Sequence, residues 1–470
     1  MNAFVNAITE TATTTRTENG ALTYSTSLDA CVDMFFQIGA IRGQGAARAE
    51  KLFREAYKAN PDIASKIALW SRDVRGGAGE RQVFRDLLKL LEKVDTDRLA
   101  RIIPLVPEIG RWDDLFVFET KTAKNMAYSQ IGLALTSDNP GLVAKWMPRE
   151  TGAKKALARE LMAFFELTPK QYRRLIVSLS NTVEQKMSAK LWDDIEFSHV
   201  PSVAAARYSK AFRKHQPDRY NEFVQKAISG EVKINTKALF PYDVTKSAVD
   251  AETANALWKN LPDYVPEGKS FIPMLDRSGS MWFNEAKVTK TMYAGDVADS
   301  IALYLAERNK SAFQNLILAF ATQPSWVRLP VTDSLRAKQD ALLNRNFGTS
   351  TNIDAGFREI LRVALENNVS PEEMPEYLVV LSDMEFNTNG AGNTNAAAAT
   401  KLFEANGYKA PVLVWWNIAS RNGVVPVRAN EKGHILVSGF SPTVVKSVLA
   451  GGLDPISVML ETVDIERYEH

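Results

Sequence analysis

FIPMLDRSGSM, residues 271–281, is a short apolar run that ends in Asp276, Ser278 and Ser280. A run of this length closed by serine and glycine reads as a buried strand ending in a tight turn. Such a turn aims one carboxylate and two hydroxyls at a single point. Hard oxygen donors gathered in this way suit Mg²⁺ or Mn²⁺. The competing reading is a helix N-cap, with Ser280 or Asn284 opening a helix that follows. Pro273 has no N–H to give to a sheet ladder, so the strand either starts at Met274 or bulges at the proline.

Downstream the same rhythm repeats. After FIPML (271–275) come NLILAFA (315–321), EYLVVLS (376–382), APVLVWW (410–416) and HILVSG (434–439). Helical patterns alternate with them at 284–308, about 335–344, 353–367, about 394–406 and 441–450. Strands alternating with helices predict a parallel sheet with helices on both faces. Ligands of such sheets sit at the carboxyl ends of the strands, near a switch in strand order. Two more oxygen donors fall where that rule asks for them. FGTSTNIDAGF (347–357) places Thr351 just before a helix, with Thr349 and Ser350 as near alternatives. LVVLSDMEFN (378–387) places Asp383 at a strand end.

Asp-x-Ser-x-Ser, a loop threonine and a strand-end aspartate, in this order, resemble the metal-ion-dependent adhesion site of von Willebrand A domains. The resemblance covers roughly residues 265–470. It implies Asp276, Ser278, Ser280, Thr351 and Asp383 as ligands of Mg²⁺ (or Mn²⁺), with the last metal position filled by water or by a partner's carboxylate. Hydrolysis would require a positioned base and an activated water. Glu385 is the nearby candidate, and a solvent-facing carboxylate is its expected state. The chain is therefore not expected to be an enzyme.

Upstream the pattern is helical. In ERQVFRDLLKLLEKV, Phe84, Leu87, Leu88 and Leu91 fall on one face of a helix. Asn60-Pro61, Asn139-Pro140 and Thr168-Pro169 each set a capping residue before a proline. Short turns such as RGGAG (75–79) join helices of roughly 12–16 residues, the texture of a helical solenoid. In RDVRGGAGER, Arg72, Arg75 and Arg81 cluster at a corner between helices, with Asp73, Glu80 and Asp113 as partners or with phosphate. In Gly110-Arg111-Trp112-Asp113, Trp112 is expected to pack and Asp113 to cap. The segment is not a phosphate-binding P-loop, because the Gly-Lys-Ser/Thr ending is missing.

Three stretches, IALWSRDVRGGAGERQVFRDLLKLL (67–91), PEIGRWDDLFVF (107–118) and VEQKMSAKLWDDIEFSHVPSVAAARYSKAF (183–212), resemble the helical module of Ro-type (TROVE-like) proteins, most of all bacterial and phage relatives. That likeness implies a HEAT-like ring closed by the A domain, which binds single-stranded RNA ends and small structured RNAs. The expected fold class is thus α plus α/β, a helical-repeat domain before a doubly wound von Willebrand A domain. The expected division is a flexible tail at 1–22, helical repeats at 23–255 and the A domain at 256–470.

Charge agrees with two different halves. Residues 1–250 hold 37 Lys and Arg against 30 Asp and Glu, and the rest 20 against 25. Basic side chains with interleaved aromatics concentrate between 145 and 215, where they can neutralise phosphates and stack on unpaired bases. Lys145, Arg149, Lys154, Lys155, Tyr172, Arg173, Arg174, Lys186, Lys190, Arg207, Lys210, Arg213 and Lys214 are the expected RNA contacts. The other function class that fits is a metal-dependent protein-interaction scaffold without RNA, as in ATPase-associated A-domain proteins. One cysteine, Cys31, excludes an internal disulfide and fits a reducing compartment. His199, His215, His434 and His470 with Cys31 do not make a conventional zinc site. The N-terminal residues lack the apolar stretch of a signal peptide, and no apolar run has the roughly 18 residues of a membrane span. The sequence expectation is a cytoplasmic protein.

Overall fold

The computed structural model describes residues 3–180, 182–234, 236, 238–247, 249–283, 286–343, 348–390 and 392–470. Up to Lys259 the secondary structure is almost entirely helical, and the C-terminal region carries a six-stranded mixed sheet. Numbering the strands of that sheet in chain order, β1 is Phe271–Asp276, β2 Leu316–Phe320, β3 Ser325–Arg328, β4 Tyr377–Ser382, β5 Val412–Asn417 and β6 His434–Ser438. Their spatial order is β6-β5-β4-β1-β2-β3. All neighbours run parallel except β3, which lies antiparallel on β2.

The five apolar runs of the sequence supply β1, β2, β4, β5 and β6. SWVR at 325–328, too short and too polar to stand out, adds the antiparallel edge. Pro273 finds a specific accommodation. Toward β4 the ladder begins at Phe271, whereas toward β2 it begins only at Met274. The strand therefore starts before the proline on one side and after it on the other.

The helix expected over 284–308 is the largest change in this region. Residues 284 and 285, including the alternative cap Asn284, lie outside the described residues. Lys287–Thr289 and Met292–Tyr293 form a small hairpin, and the helix starts at Ala294. Apart from Asp296, its residues from Ala294 to Ala306 are buried, because it lies against β1 at the centre of the sheet. Helix Ile353–Glu366 packs on β2 closely enough that a Cβ on Gly356 would stand 2.9 Å from Met274 Cε. A larger residue there would make the Met274 methyl, at the free end of a flexible side chain on β1, swing aside.

In the helical half, Pro61–Arg72 is capped as expected, with Asn60 accepting from the Ile63 N–H at 3.1 Å. Thr168 and Gln171 form a capping box before Pro169–Leu179. The Asn139-Pro140 signal works differently: Pro140 itself occupies the cap position of Gly141–Trp146, without a side-chain cap. Arg81–Val94 buries Val83, Phe84, Leu87, Leu88, Leu90 and Leu91, the stripe its periodicity predicts. Helices Ala30–Ile38, Ala46–Ala59, Pro61–Arg72 and Arg81–Val94 pack successively on one another.

Residues expected as a flexible tail are instead built into the fold. Ala3–Thr13 is a helix, and Thr14–Arg16 pairs with Leu22–Tyr24 as a hairpin. Gly20, Leu22 and Tyr24 then bridge to Asn387, Thr394 and Val425 beside the sheet. The two halves share a core rather than meeting at a linker. Helix Ala30–Ile38 lies on β6, and the Ser438 hydroxyl donates to the Phe35 carbonyl at 2.7 Å while accepting from the Gly39 N–H at 3.1 Å. A Cβ on Gly39 would come within 2.8 Å of Gly439, so two glycines allow this backbone contact. At the C-terminus, Lys66 pairs with Asp464 and Glu469, and Asp73 with Arg467 and the Tyr468 hydroxyl.

His434 on β6 gives the fold a built-in acid sensitivity. Burial holds its imidazole down to about 4, although Glu431 lies 3.7 Å from Nε2 and Trp415 Nε1 3.4 Å from Nδ1. The unfolded chain takes up this proton near pH 6.5. Between about pH 6.5 and pH 4 the unfolded state binds more protons, so stability falls as pH falls, by roughly 3 kcal/mol at the lower end. Urea unfolding across this window is expected to show a shallower slope for His434→Gln. An identical slope in that variant would place the acid sensitivity on other groups.

Candidate metal centre and basic surface

The switch in strand order falls between β1 and β4, and both strands end there in carboxylates. Asp276 closes β1 and Asp383 follows β4; both are buried. The Asp276 Oδ1 accepts the Ser278 N–H at 2.9 Å, which folds the Asp-x-Ser-x-Ser turn back over the strand end. Ser278 and Ser280 hydroxyls then stand 3.0 Å apart, and Ser280 hydrogen-bonds the Asp383 carboxylate. The loop before helix Ile353–Glu366 joins them through the Gly279 N–H, which donates to the Thr349 carbonyl at 2.9 Å. Thr351 is 1% exposed, and its N–H donates to Asn387 Oδ1 at 3.2 Å. The fold thus brings Asp276, Ser278, Ser280 and Asp383 into one hydrogen-bonded cluster and holds the Thr351 loop beside it.

Several groups at this locus had no sequence signal. The Ser382 hydroxyl donates to Asp276 Oδ2 at 2.5 Å. Arg421, in the loop after β5, donates to Asp383 Oδ2 at 3.1 Å and pairs with Glu18 at 2.9 Å. Asn19 reaches Thr351 Oγ1 at 3.5 Å and the Glu385 carbonyl at 2.5 Å. Glu385 corrects an expectation: its side chain is buried rather than solvent-facing. It accepts from the Glu18 N–H at 2.7 Å and from Asn422 at 3.1 Å. Met384, between the two acids, has a left-handed φ of 66°, a conformation a non-glycine residue holds only when its surroundings fix it.

The electrostatics fit a cation. Burial raises the Asp276 carboxyl well above the ordinary carboxylate range, and the facing Asp383 adds to it. Asp383 is raised too, by burial, with Arg421 pulling the other way. Two acids pressed together in this way are relieved by a cation between them, and the remaining oxygen donors are neutral hydroxyls. Among the described residues no group of three or more His, Cys, Asp or Glu gathers to hold a metal. Any cation at this locus would therefore rely on the hydroxyl oxygens, a donor set that suits Mg²⁺ or Mn²⁺ rather than zinc.

The thirteen expected RNA contacts divide into two groups. Arg149, Lys154, Lys155, Arg174, Lys190, Arg207, Lys210 and Lys214 are exposed. Arg207, Lys210 and Lys214 lie at i, i+3 and i+7 on helix Ser202–His215, one above another on an outward face. Arg173 is also exposed but pairs with Glu150 at 3.0 Å. The other four serve the protein itself. Tyr172 is 1% exposed and donates its hydroxyl to the Pro148 carbonyl at 2.9 Å, so it offers no stacking face. Arg213 pairs with Asp250 at 2.7 Å and lies over the Tyr220 ring. Lys145 pairs with Glu184, and Lys186 donates to the Asp194 carbonyl. Glu184 also accepts from Tyr208, which ties Gly141–Trp146 and Val183–Ser188 to helix Ser202–His215.

The arginine corner takes partners other than those expected. Asp73 goes to Arg467 and Glu80 to Arg42, while Arg75 donates to the Glu108 carbonyl. Asp114, not Asp113, caps the turn, accepting from the Arg111 N–H at 3.0 Å.

Residues 17–94 and 128–268 match a domain of unknown function, DUF2828, and residues 270–466 match another, DUF7788. The two matches meet immediately before β1. An uncharacterized protein of Acanthamoeba polyphaga mimivirus, L728, is 27% identical over 509 residues, covering 95% of this chain and 87% of its own length. The Ro (RSR) protein of Deinococcus radiodurans aligns over 92% of this chain and 99% of its own, with a TM-score of 0.37 and 14% identity.

Proposed function

We propose that the chain is an RNA-binding ribonucleoprotein component that grips small structured or single-stranded RNA on its helical half. In this reading the helical half is a Ro-type, HEAT-like array, and the sheet is a von Willebrand A-type domain that docks a protein partner through Mg²⁺ or Mn²⁺. The observation that carries the RNA reading is the outward stripe of Arg207, Lys210 and Lys214, with Arg149, Lys154, Lys155, Arg174 and Lys190 also exposed in the same half. Exposed cations favour phosphate contact over base recognition, hence binding that is tolerant of sequence and sensitive to salt.

Docking at the sheet is supported by the strand order, whose switch point lies between Asp276 and Asp383. Asp276, Ser278, Ser280, Thr351 and Asp383 are the groups we assign to the metal. The bound ion supplies an open coordination position for water or an incoming carboxylate. The protein residues hold the donors in register and keep bulk water from the two acids. Among the described residues no helix is long and apolar enough to cross a membrane. With its single, buried cysteine, we assign the chain to the reducing cytoplasm.

A second reading has its own support. Four of the thirteen expected RNA contacts are tied up within the chain, which thins the basic surface left for RNA and leaves the sheet-end cluster as the alternative centre of function, a metal-dependent protein-interaction scaffold without RNA. Purification at moderate salt decides between them. Discrete small RNAs, released by high salt and identified by sequencing, are the expected result. A protein that carries no nucleic acid and fails to shift structured or 3′-tailed RNA would leave the metal-dependent scaffold as the function.

A further inference from the structure

Between helices Pro61–Arg72 and Arg81–Val94 and the turn at 110–117, four guanidiniums surround two carboxylates. Arg72, 1% exposed, donates from Nε to Asp114 Oδ2 at 2.8 Å. Arg85 donates from Nε to Asp114 Oδ1 at 2.6 Å, and its Nη2 lies 2.9 Å from Asp113 Oδ2. Arg111 lies over the Trp146 ring, 5.0 Å from its centre, and the exposed Arg81 opens helix Arg81–Val94. The motif's other acids, Asp73 and Glu80, are engaged by Arg467 and Arg42. Four positive charges therefore meet two negative ones.

Two observations mark the excess. Nη2 of Arg72 is buried without a hydrogen-bond partner, a costly state for a charged donor. Arg81 and Arg111 are both held below the ordinary guanidinium range, first by burial. The next cause is Arg72 for Arg81, and Arg81 itself for Arg111. Like charges pressed together in a partly buried corner need a counter-anion. Planar forks with free N–H groups match a tetrahedral oxyanion. Asp113 Oδ1, also buried without a partner, asks for a hydroxyl or a water beside that anion.

We propose that this corner is a phosphate-binding site, with Arg81, Arg111 and Nη2 of Arg72 as its donors. Its phosphate comes either from an RNA backbone or from a free phosphate or nucleotide, and the site does not depend on the RNA reading above. The test uses the full chain, inorganic phosphate and a single-stranded oligouridylate, with Arg81→Gln and Arg111→Gln. Phosphate is expected to raise the melting temperature of the unsubstituted protein. Each substitution should weaken phosphate binding on the order of ten-fold, the value of one charged hydrogen bond. Without phosphate each variant should melt at the same temperature or higher, because it relieves repulsion.

If oligouridylate binding weakens in parallel, the phosphate belongs to RNA. If only inorganic phosphate binding weakens, the source is a free phosphate or nucleotide, and the RNA reading stands or falls by itself. Absence of any phosphate-dependent shift in the unsubstituted protein would overturn the site. So would variants that melt lower than the parent while keeping its full phosphate response, the mark of a purely structural network.

Discussion

Asp276→Ala is expected to abolish the divalent-cation response of the protein while leaving its fold intact. In the unsubstituted chain, Mg²⁺ or Mn²⁺ should raise the melting temperature, because a cation bound only by the folded state stabilises it by mass action. Asp276 is fully buried, and the Ser278 N–H and the Ser382 hydroxyl, both neutral donors, hydrogen-bond its carboxylate. Its loss should weaken cation binding by at least about 100-fold, more than the loss of a supporting group outside the coordination sphere. The apo protein should change little. Removing the acid leaves the Ser382 hydroxyl and Ser278 N–H without an acceptor, at about 1 kcal/mol or more each. It also ends the repulsion between Asp276 and Asp383, which offsets part of that cost. RNA affinity should stay within roughly three-fold, because distant sites act independently. Isothermal titration with Mn²⁺ and thermal shift with Mg²⁺ report the outcome. A variant that keeps the full cation response would remove the metal assignment altogether.

Reversing the stripe on helix Ser202–His215, with Arg207→Glu, Lys210→Glu and Lys214→Glu combined, should produce the largest loss of RNA binding. Each lost phosphate contact takes about 0.7 from the slope of log affinity against log salt for single strands, so the slope should fall by about 2. At moderate salt the affinity itself should drop on the order of 100-fold or more, equally for unrelated RNA sequences. The fold should tolerate the change, since all three side chains are exposed. Some stability is expected to go with Lys214, which sits in the last turn, where a cation complements the helix dipole. Fluorescence anisotropy over a range of salt concentrations measures both quantities. An unchanged slope in the triple variant would move the RNA surface elsewhere on the chain.

The gap between these expectations and a reading of sequence alone is instructive at Tyr172 and Arg213. Both carry the right chemistry for RNA, and both lie among exposed cations in the chain. Tyr172 nevertheless turns inward, because its helix buries the face it shares with Ile176 and Pro148 offers a carbonyl to its hydroxyl. Arg213 is taken by Asp250, 37 residues away. Side-chain chemistry is local, but direction is set by whatever packs opposite.

Local rules decided most of the elements. The 3.6-residue stripe of Arg81–Val94, the Asn60 cap, the five apolar strands and the Asp-x-Ser-x-Ser turn after β1 all follow from interactions within a few residues. Periodicity and turn chemistry act at that range, so they are written in consecutive letters. Even the meeting of Asp276 with Asp383 follows from such rules, because alternating strands and helices place strand ends on one edge of a parallel sheet.

What only the tertiary structure decided lies at long separation. The pairing of residues 17–22 with 385–394, the burial of Glu385 beneath Glu18 and Asn19, the Arg421 contact to Asp383 and the clasp of Asp73 by Arg467 join positions from 38 to nearly 400 residues apart. A polar segment such as ETATTTRTENG carries no periodic signal, and in isolation it reads as a tail. It is ordered because the loop after β4 offers backbone groups and the buried Glu385 that its amides and side chains satisfy. That demand is created by the folded partner surface and is nowhere in the segment's own letters.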